Sequence, residues 1–339
     1  MTPRVSVVVR SYNRIPALCE LLTALLAQDH PSFEIVVVEQ STKVAARDAA
    51  RLDVLVRDPR VRLLSHPPLG GARARNVGAF AARGELLLFI DDDDLPEGPH
   101  WISAHAAAYE DPRCLGITGR HKNSPGERNT SAIPWLAYRR CQMFSPLLKM
   151  PWTYVRHDRR KAPVDSVHGT NGSIRRSALE RFGGWDEDTR IEDEASFGFR
   201  AARSKRKDEY FAFDPRPVVL RGRNVKGGLD KRYMTAGEYF ERLLDFVHRI
   251  IGRYHPARVI GLYPLYVVTV YGWTVAWMWG DSQAHDTIAK RVMGTLSLIP
   301  GVPGHVMRCL KRLSTSAPKG SGTDSPSRKS DQARQSGST

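Results

Sequence analysis

Cysteine is scarce. Only Cys19, Cys114, Cys141 and Cys309 occur in 339 residues, far apart from one another. No CxxC pair or Cys/His spacing points to a zinc site, and nothing in the spacing suggests a disulfide framework. A reducing compartment, the cytoplasm, is the simplest expectation. No basic segment leads into an apolar one at MTPRVSVVVR, which enters a strand-like run directly, so no secretory leader is expected. A GxGxxG fingerprint, a Ser or Cys nucleophile motif and internal repeats are likewise missing. Negative charge is also short: 36 Asp and Glu stand against 51 Lys and Arg, a formal net charge of +15. That excess suits an anionic partner, whether nucleic acid, an acidic membrane face or phosphorylated substrates, without choosing among them.

What the chain does have is apolar material in a regular order. With 41% hydrophobic residues it can bury a real core. VSVVV (Val5–Val9), FEIVVVE (Phe33–Glu39), VRLLSH (Val61–His66) and ELLLFI (Glu85–Ile90) read as strands. Between them, IPALCELLTALLAQ (Ile15–Gln28), the stretch from Val44 to Leu55, and GGARARNVGAFAARG (Gly70–Gly84) read as helices. Continuous apolar strands separated by amphipathic helices predict an α/β fold, a parallel sheet covered on both faces. Ligands of such sheets bind beyond the carboxyl ends of the strands. The residues to examine are therefore Arg10 to Asn13, Glu39 to Ser41, and Asp91 to Asp94. The Pro-, Trp-, Tyr- and Arg-rich stretch 119–161 reads as loops around a site, and SALERFGGWDED and IEDEASFGFRAARS restore order beyond it. From Ser314 the chain is nearly devoid of apolar residues, which predicts disorder.

GELLLFIDDDDLP, Gly84 to Pro96, sets four adjacent carboxylates at the end of the most apolar strand. Such a run repels itself and resists desolvation. In an extended chain Asp91 and Asp93 point the same way while Asp92 points elsewhere. Two converging carboxylates call for a cation, and hard oxygen ligands suit Mg²⁺ or Mn²⁺, which in turn bind phosphate oxygens. A solvated acidic turn is the plainer alternative.

VSVVVRSYNR, EIVVVEQST, GGARARNVGAFAARGELLLFIDDDDLP and ALERFGGWDEDTRIEDEASFGFRAAR occur in the order and spacing of family 2 glycosyltransferases, a resemblance covering roughly Val5 to Pro217. It implies the GT-A fold: Rossmann-like, mainly parallel, with helices on both faces. The expected domains are a catalytic one over 1–230, with a donor half of about 1–118 and an acceptor half of about 119–230, then a helical region 231–313 and a tail 314–339.

The resemblance also implies roles. Asp91 and Asp93 form a DxD motif with Asp94 beside them on the metal, the register open by one residue. The metal bridges the diphosphate of a UDP-, GDP- or dTDP-sugar, and Asp92 lies on the donor side. Arg10, Ser11, Tyr12 and Glu39 match nucleoside-binding positions. Tyr12 packs on the base or is an ordinary aromatic plug. The family more often has Asp at the Glu39 position, followed by a second acid where Gln40 stands here. Arg75 and Asn76 match the family's ARN and hold the sugar-diphosphate, or are solvated helix residues. Asp193 is the first candidate for the base that takes the acceptor proton with inversion, Glu192 the second. Read without the family, both are acids favoured in a first helical turn. Trp185 is an acceptor platform or core, and His168 contacts substrate or is structural. The basic stretch LRGRNVKGG (Leu220–Gly228) could close over the diphosphate.

Val259 to Gly280 carries no charge and is about the length of a bilayer span, but its Pro, Gly, Trp and Tyr suit an interface better. Val292 to Leu310, with Pro300 and Pro303, reads as a broken apolar stretch studded with basic residues. Together they predict a membrane-seated or re-entrant appendage, spanning the membrane or lying on its anionic surface at the inner face of the cell membrane, or else core helices against the catalytic domain. The leading function is metal-dependent sugar transfer to a glycan or lipid-linked acceptor, as in cell-surface polysaccharide or glycolipid synthesis. Two alternatives remain: a nucleotidyltransferase, disfavoured because RSYNR replaces a Gly-rich loop, and a nonspecific nucleic-acid binder. Specific nucleic-acid binding is not expected, because the basic residues are scattered and the acidic clusters would repel a phosphate backbone.

Overall fold

The computed structural model describes residues 4–123, 143–152, 160–187, 193–221, 235–280 and 288–315. Its first half follows the apolar pattern: β1 (Val5–Ser11), α1 (Ile15–Leu26), β2 (Phe33–Glu39), α2 (Ala46–Leu55), β3 (Val61–Ser65), α3 (Gly71–Ala81) and β4 (Leu86–Asp91). A two-residue β5 (Leu95–Pro96), α4 (Trp101–Ala106) and β6 (Cys114–Asn123) come next. Then follow a small hairpin of β7 (Met143–Phe144) and β8 (Pro151–Trp152), β9 (Ala162–Val164), β10 (Gly172–Arg175), α5 (Arg176–Phe182), α6 (Asp193–Ser204) and β11 (Tyr210–Arg221).

The main sheet runs β3-β2-β1-β4-β10-β6-β11-β5, with β9 also on β11. β1 to β4 are mutually parallel, β10 is antiparallel between β4 and β6, and β11 returns parallel to β6. β1, β2 and β4 are buried along nearly their whole length because helices cover both faces, which explains their unbroken Val, Ile and Leu runs. Each such side chain contributes about 1.5–3 kcal/mol on leaving water. One layer seats α1 on Val5, Val7 and Val9, and the other seats Phe89, Leu87 and Ile174 beneath Trp185 and Phe197. Strand order reverses at the β1–β4 junction, the kind of place where open α/β sheets leave a crevice. Register then sets Ser11 opposite Glu39 and Arg10 opposite Asp91. α3 lies close on β1 and β2 because Gly78 has no side chain; a Cβ there would stand 2.5 Å from Val8 Cγ1.

The C-terminal residues form helices: α7 (Ala236–Phe246), a π turn (Val247–Ile251), α8 (Pro256–Gly261), α9 (Tyr263–Gly280) and α10 (Ile288–Thr315). A capping box starts α7, with Thr235 Oγ1 accepting from the Glu238 amide and Glu238 accepting from the Thr235 amide. Its Phe240, Leu243, Leu244 and Phe246 share a core with Tyr266, Val270, Leu298 and Cys309. That core extends to α6 through Phe199, whose ring lies 6.4 Å from Phe246. α10 differs from the broken stretch that its prolines predicted. It continues through Pro300 and Pro303, held on α7 by Arg308 Nε donating to Glu241 at 2.8 Å and by His305 Nδ1 at 2.7 Å from the same carboxylate oxygen. Packing offsets the lost backbone bonds. Among the described residues no helix is long and apolar enough to cross a membrane.

Candidate active site

The acidic run is not an extended segment. β4 ends at Asp91, and the Asp94 amide donates to the Asp91 carbonyl at 3.1 Å, closing a turn. The alternation that would align Asp91 with Asp93 therefore stops at the strand end, and each carboxylate has its own surroundings. Arg10 grips Asp91 with two bonds, Nε to Oδ1 at 2.8 Å and Nη2 to Oδ2 at 3.0 Å. Ser11 Oγ donates to Asp92 Oδ2 at 2.8 Å. Arg14 Nη1 bridges Asp92 Oδ1 at 3.2 Å and Asp93 Oδ2 at 2.7 Å. Thr170 Oγ1 donates to Asp94 Oδ2, and Asp94 is wholly buried. Burial pushes the Asp92 carboxyl up to about 6, against the pull of Arg14 and with the help of Asp93. Arg14 is held above its ordinary range: burial works against it, but the charges of Asp93 and Asp92 prevail. The chain's own arginines thus neutralise much of the charge that the sequence left unbalanced.

Neighbouring strand ends are tied to this turn. Asn13, in the left-handed region at φ 56, donates its amide to Ser41 Oγ at 2.7 Å and accepts from the Thr42 amide at 3.0 Å. Glu39 accepts from the Ser41 amide at 2.7 Å. Gln40, which departs from the family's second acid, is buried and accepts from the Leu69 amide at 2.8 Å, steadying the approach to α3. Gly71 opens that helix under the Arg10 guanidinium; a Cβ there would stand 2.4 Å from Nη1. Tyr12 is half-buried beside them.

A second acidic group reaches the same place through residues 168–171. The Gly169 amide donates to Glu194 Oε1 at 3.3 Å, and Arg75 Nη2 lies 3.8 Å from that oxygen. Arg75 also sits over the Trp185 ring, 5.7 Å from its centroid. Since Thr170 binds Asp94, consecutive residues connect the β4 turn with the start of α6. Asn76 spans α3 and the Gly-Gly-Trp loop: its Nδ2 donates to the Trp185 carbonyl and to Glu187, each at 2.8 Å, and its Oδ1 accepts from the Trp185 amide at 2.8 Å. Its amide thus positions that loop. The Trp185 ring is 2% exposed and meets Phe89 edge-on at 5.3 Å, so it is core, the plainer of its two readings. His168 is buried, its amide donating to Thr118 Oγ1 at 3.0 Å and its ring 6.0 Å from His121. Asp193 begins α6. Glu192 and most of the basic stretch 220–228 lie outside the described residues.

Arg14, Thr170 and Glu194 are the contributors that motif reading passed over. Arg14 had a signal, as the last residue of RSYNR, and Glu194 stands in the same acidic trio as Asp193. Thr170 falls in HGTNGSIRRS (His168–Ser177), a stretch expected beside the pocket, without a role of its own.

Hard carboxylate oxygens are the donor type that divalent cations such as Mg²⁺ and Mn²⁺ favour, and two of the turn's carboxylates keep some exposure. Among the described residues no group of three His, Cys, Asp or Glu could hold a metal, so Asp91, Asp93 and Asp94 do not form a cage. Asp93 is one-third exposed and Asp91 about one-eighth, while Asp94 is closed off beneath Thr170. Mg²⁺ commonly uses one or two carboxylates and completes its shell with substrate phosphates and water.

Comparison with known proteins decides the family. The family model described as Glycosyl transferase family 2 matches residues 6–183, more than half of the chain. The chain belongs to that family. This chain is 37% identical over 94 residues to the uncharacterized glycosyltransferase EpsJ of Bacillus subtilis, covering 28% of this chain and 27% of that one. It is 32% identical over 96 residues to glycosyltransferase GlyG of Streptococcus pneumoniae, covering 28% of this chain and 32% of the relative. The match thus spans about a third or less of those relatives' lengths. Among solved structures, the mannosyltransferase PcManGT of Pyrobaculum calidifontis, in complex with GDP-Man and Mn²⁺, has a TM-score of 0.53 at 16% identity, covering 92% of this chain and 85% of that one. The Staphylococcus aureus TarS fragment 1–349 with UDP-GlcNAc has a TM-score of 0.52 at 15% identity, covering 89% and 92%. The chain therefore has the GT-A fold expected from its motifs.

Proposed function

We propose that this glycosyltransferase moves a sugar, with inversion, from a nucleoside-diphosphate donor to a hydroxyl of a glycan or lipid-linked acceptor in cell-surface polysaccharide or glycolipid synthesis. The observation that carries the reading is the bonded path from Asp94 through Thr170 and Gly169 to Glu194. It supports reading the acidic turn of β4 and the acidic start of α6 as two sides of one site. Glu39, Ser11 and Tyr12 serve the nucleoside, and Arg10 and Arg75 are the guanidinium groups that would receive anionic phosphate oxygens. Asp91 and Asp93 would hold Mg²⁺ or Mn²⁺, which offsets the charge gathering on the leaving diphosphate. Asp193 takes the acceptor hydroxyl's proton as that oxygen bonds to the anomeric carbon and the bond to the diphosphate breaks. Solved proteins of this fold hold GDP-Man with Mn²⁺ and UDP-GlcNAc, which supports testing both base classes.

The test is a thermal-shift titration with UDP-, GDP- and dTDP-sugars, with and without Mn²⁺. One nucleotide class should stabilise the protein only in the presence of metal, and Asp93→Ala should abolish that shift. Stabilisation by no donor, or an unchanged shift in Asp93→Ala, would overturn the assignment.

The acceptor side of the reading includes a membrane surface at the cytoplasmic face. Pro264, Val268, Gly272 and Ala276 of α9 stand four apart and are all exposed, with Ile260 just ahead of the helix exposed as well. Tyr263, Tyr271 and Trp273 flank this apolar face half-buried, and exposed Arg253, Arg308 and Lys311 supply positive charge from neighbouring elements. Aliphatic side chains edged by aromatics and cations suit the plane of an anionic bilayer. Flotation should recover the protein with phosphatidylglycerol-containing vesicles but not with neutral phosphatidylcholine ones. The double variant Ile260→Asp/Val268→Asp should lose most of that recovery; retention of binding would remove α9 from the interface.

A further inference from the structure

Arg14 stands immediately before α1 and reaches across to the acidic turn. A single nitrogen, Nη1, serves two carboxylates, while its Nε is buried and makes no hydrogen bond among the described residues. Arg10 differs, engaging Asp91 through two parallel bonds. Guanidinium is at its strongest in that fork geometry, and a buried idle N–H carries a desolvation cost. Arg14 is thus held by charge more than by fit, and its partner Asp93 is the most exposed acid of the turn.

We propose that Arg14 is a resident counter-ion that couples cation binding to donor binding. It holds Asp93 while the site waits, yields that carboxylate to the divalent cation, and turns its freed N–H groups to the diphosphate. The proposal rests on the donor-site reading above and adds an order to it. A cation arriving alone must displace one positive charge and then stand near it, so it binds poorly. A cation arriving with a diphosphate brings the anion that Arg14 then pairs with, and guanidinium matches phosphate oxygens in two-pronged geometry. The fold therefore disfavours a metal-loaded site without substrate.

The experiment measures free Mn²⁺ by electron paramagnetic resonance, with Mn²⁺ alone and with Mn²⁺ plus UDP or GDP. In the wild type, nucleoside diphosphate should strengthen Mn²⁺ binding. Arg14→Gln should bind Mn²⁺ alone about tenfold more tightly and the nucleoside diphosphate at saturating Mn²⁺ about tenfold more weakly, erasing most of a coupling within the usual allosteric range. Arg14→Lys keeps the charge without the fork, so it should retain the competition with Mn²⁺ and lose only nucleotide affinity. Thermal melts would accompany both variants to establish that they fold. These opposite signs are what a scaffolding role would not produce: if Arg14 merely braces the turn, Arg14→Gln weakens both ligands, and the proposal fails. Unchanged affinities in Arg14→Gln overturn it too. A wild type that binds no Mn²⁺ even with nucleotide overturns the donor-site reading itself.

Discussion

Replacing Asp193 by alanine should lower turnover by about 10²–10⁴-fold, the usual worth of a positioned general base, and leave the metal-dependent donor shift intact. The separation is expected because Asp193 begins α6, whereas the residues proposed to receive the cation and the nucleoside lie at the ends of β1, β2 and β4. Glu192→Ala, measured alongside, should retain most of the activity. Rates come from transfer assays with the donor that stabilises the protein, and binding from the same thermal titration. Loss of donor binding in Asp193→Ala would remove it from the role of base. A larger fall in Glu192→Ala than in Asp193→Ala would move that role one residue back.

The second large effect is expected at a residue without chemistry of its own. A Cβ on Gly172 would lie 2.0 Å from the His168 carbonyl oxygen, a backbone atom that no rotamer change can move aside. Gly172 opens β10, pairing with Phe89 of β4 and Thr118 of β6, so it cannot shift without disturbing the sheet. The segment 168–171 must yield instead. It carries Thr170 on Asp94, the Gly169 amide on Glu194, and Asn171, whose Oδ1 accepts from Trp101 Nε1 at 2.7 Å. Gly172→Ala should destabilise the fold by roughly 1–3 kcal/mol through overpacking. A displacement of that segment should also reduce turnover by about 10²-fold, the cost of misplacing a site by an ångström. Urea unfolding and kcat report the two separately. A variant with wild-type stability and rate would show that this link does not hold the two halves of the site together.

The sequence carried the sheet because its signal is local. A fully buried parallel strand must be apolar on both faces, so VSVVV, EIVVV and LLLFI announce themselves, and the turn residues beyond them mark the strand ends where ligands gather. The family motifs added the GT-A fold. Within the site, Arg10, Ser11, Glu39 and Asp91 fall together through strand register alone, since β1 pairs with both β2 and β4.

Contacts between distant residues were not legible in the same way. Arg14 meets Asp92 and Asp93 across 78 and 79 positions, and Thr170 meets Asp94 across 76. A repelling aspartate run read alone asked for an external cation; folded, it finds two arginines first. The extended geometry assumed for Asp91 to Asp94 gave way to a turn closed by the Asp94 amide, a bond that no period-two pattern records. Trp185 could be read as platform or as core, because an aromatic after two glycines suits both, and only the ring of Phe89 beneath it resolves the choice. The C-terminal helices divide similarly: one side packs on Phe199 and Phe246, while Val268 remains 65% exposed on the other.

By itself, then, the sequence determined which segments of the first hundred residues are strands and helices, that those strands run parallel, and at which strand ends charge collects, since these follow from hydrophobic periodicity over short spans. Tertiary structure alone decided which counter-charge each aspartate receives, which aromatic is buried and how α6 is bound to the β4 turn. Those outcomes depend on where separate elements come to rest against one another, and an ion pair or a desolvated ring has its energy only once both partners are in place.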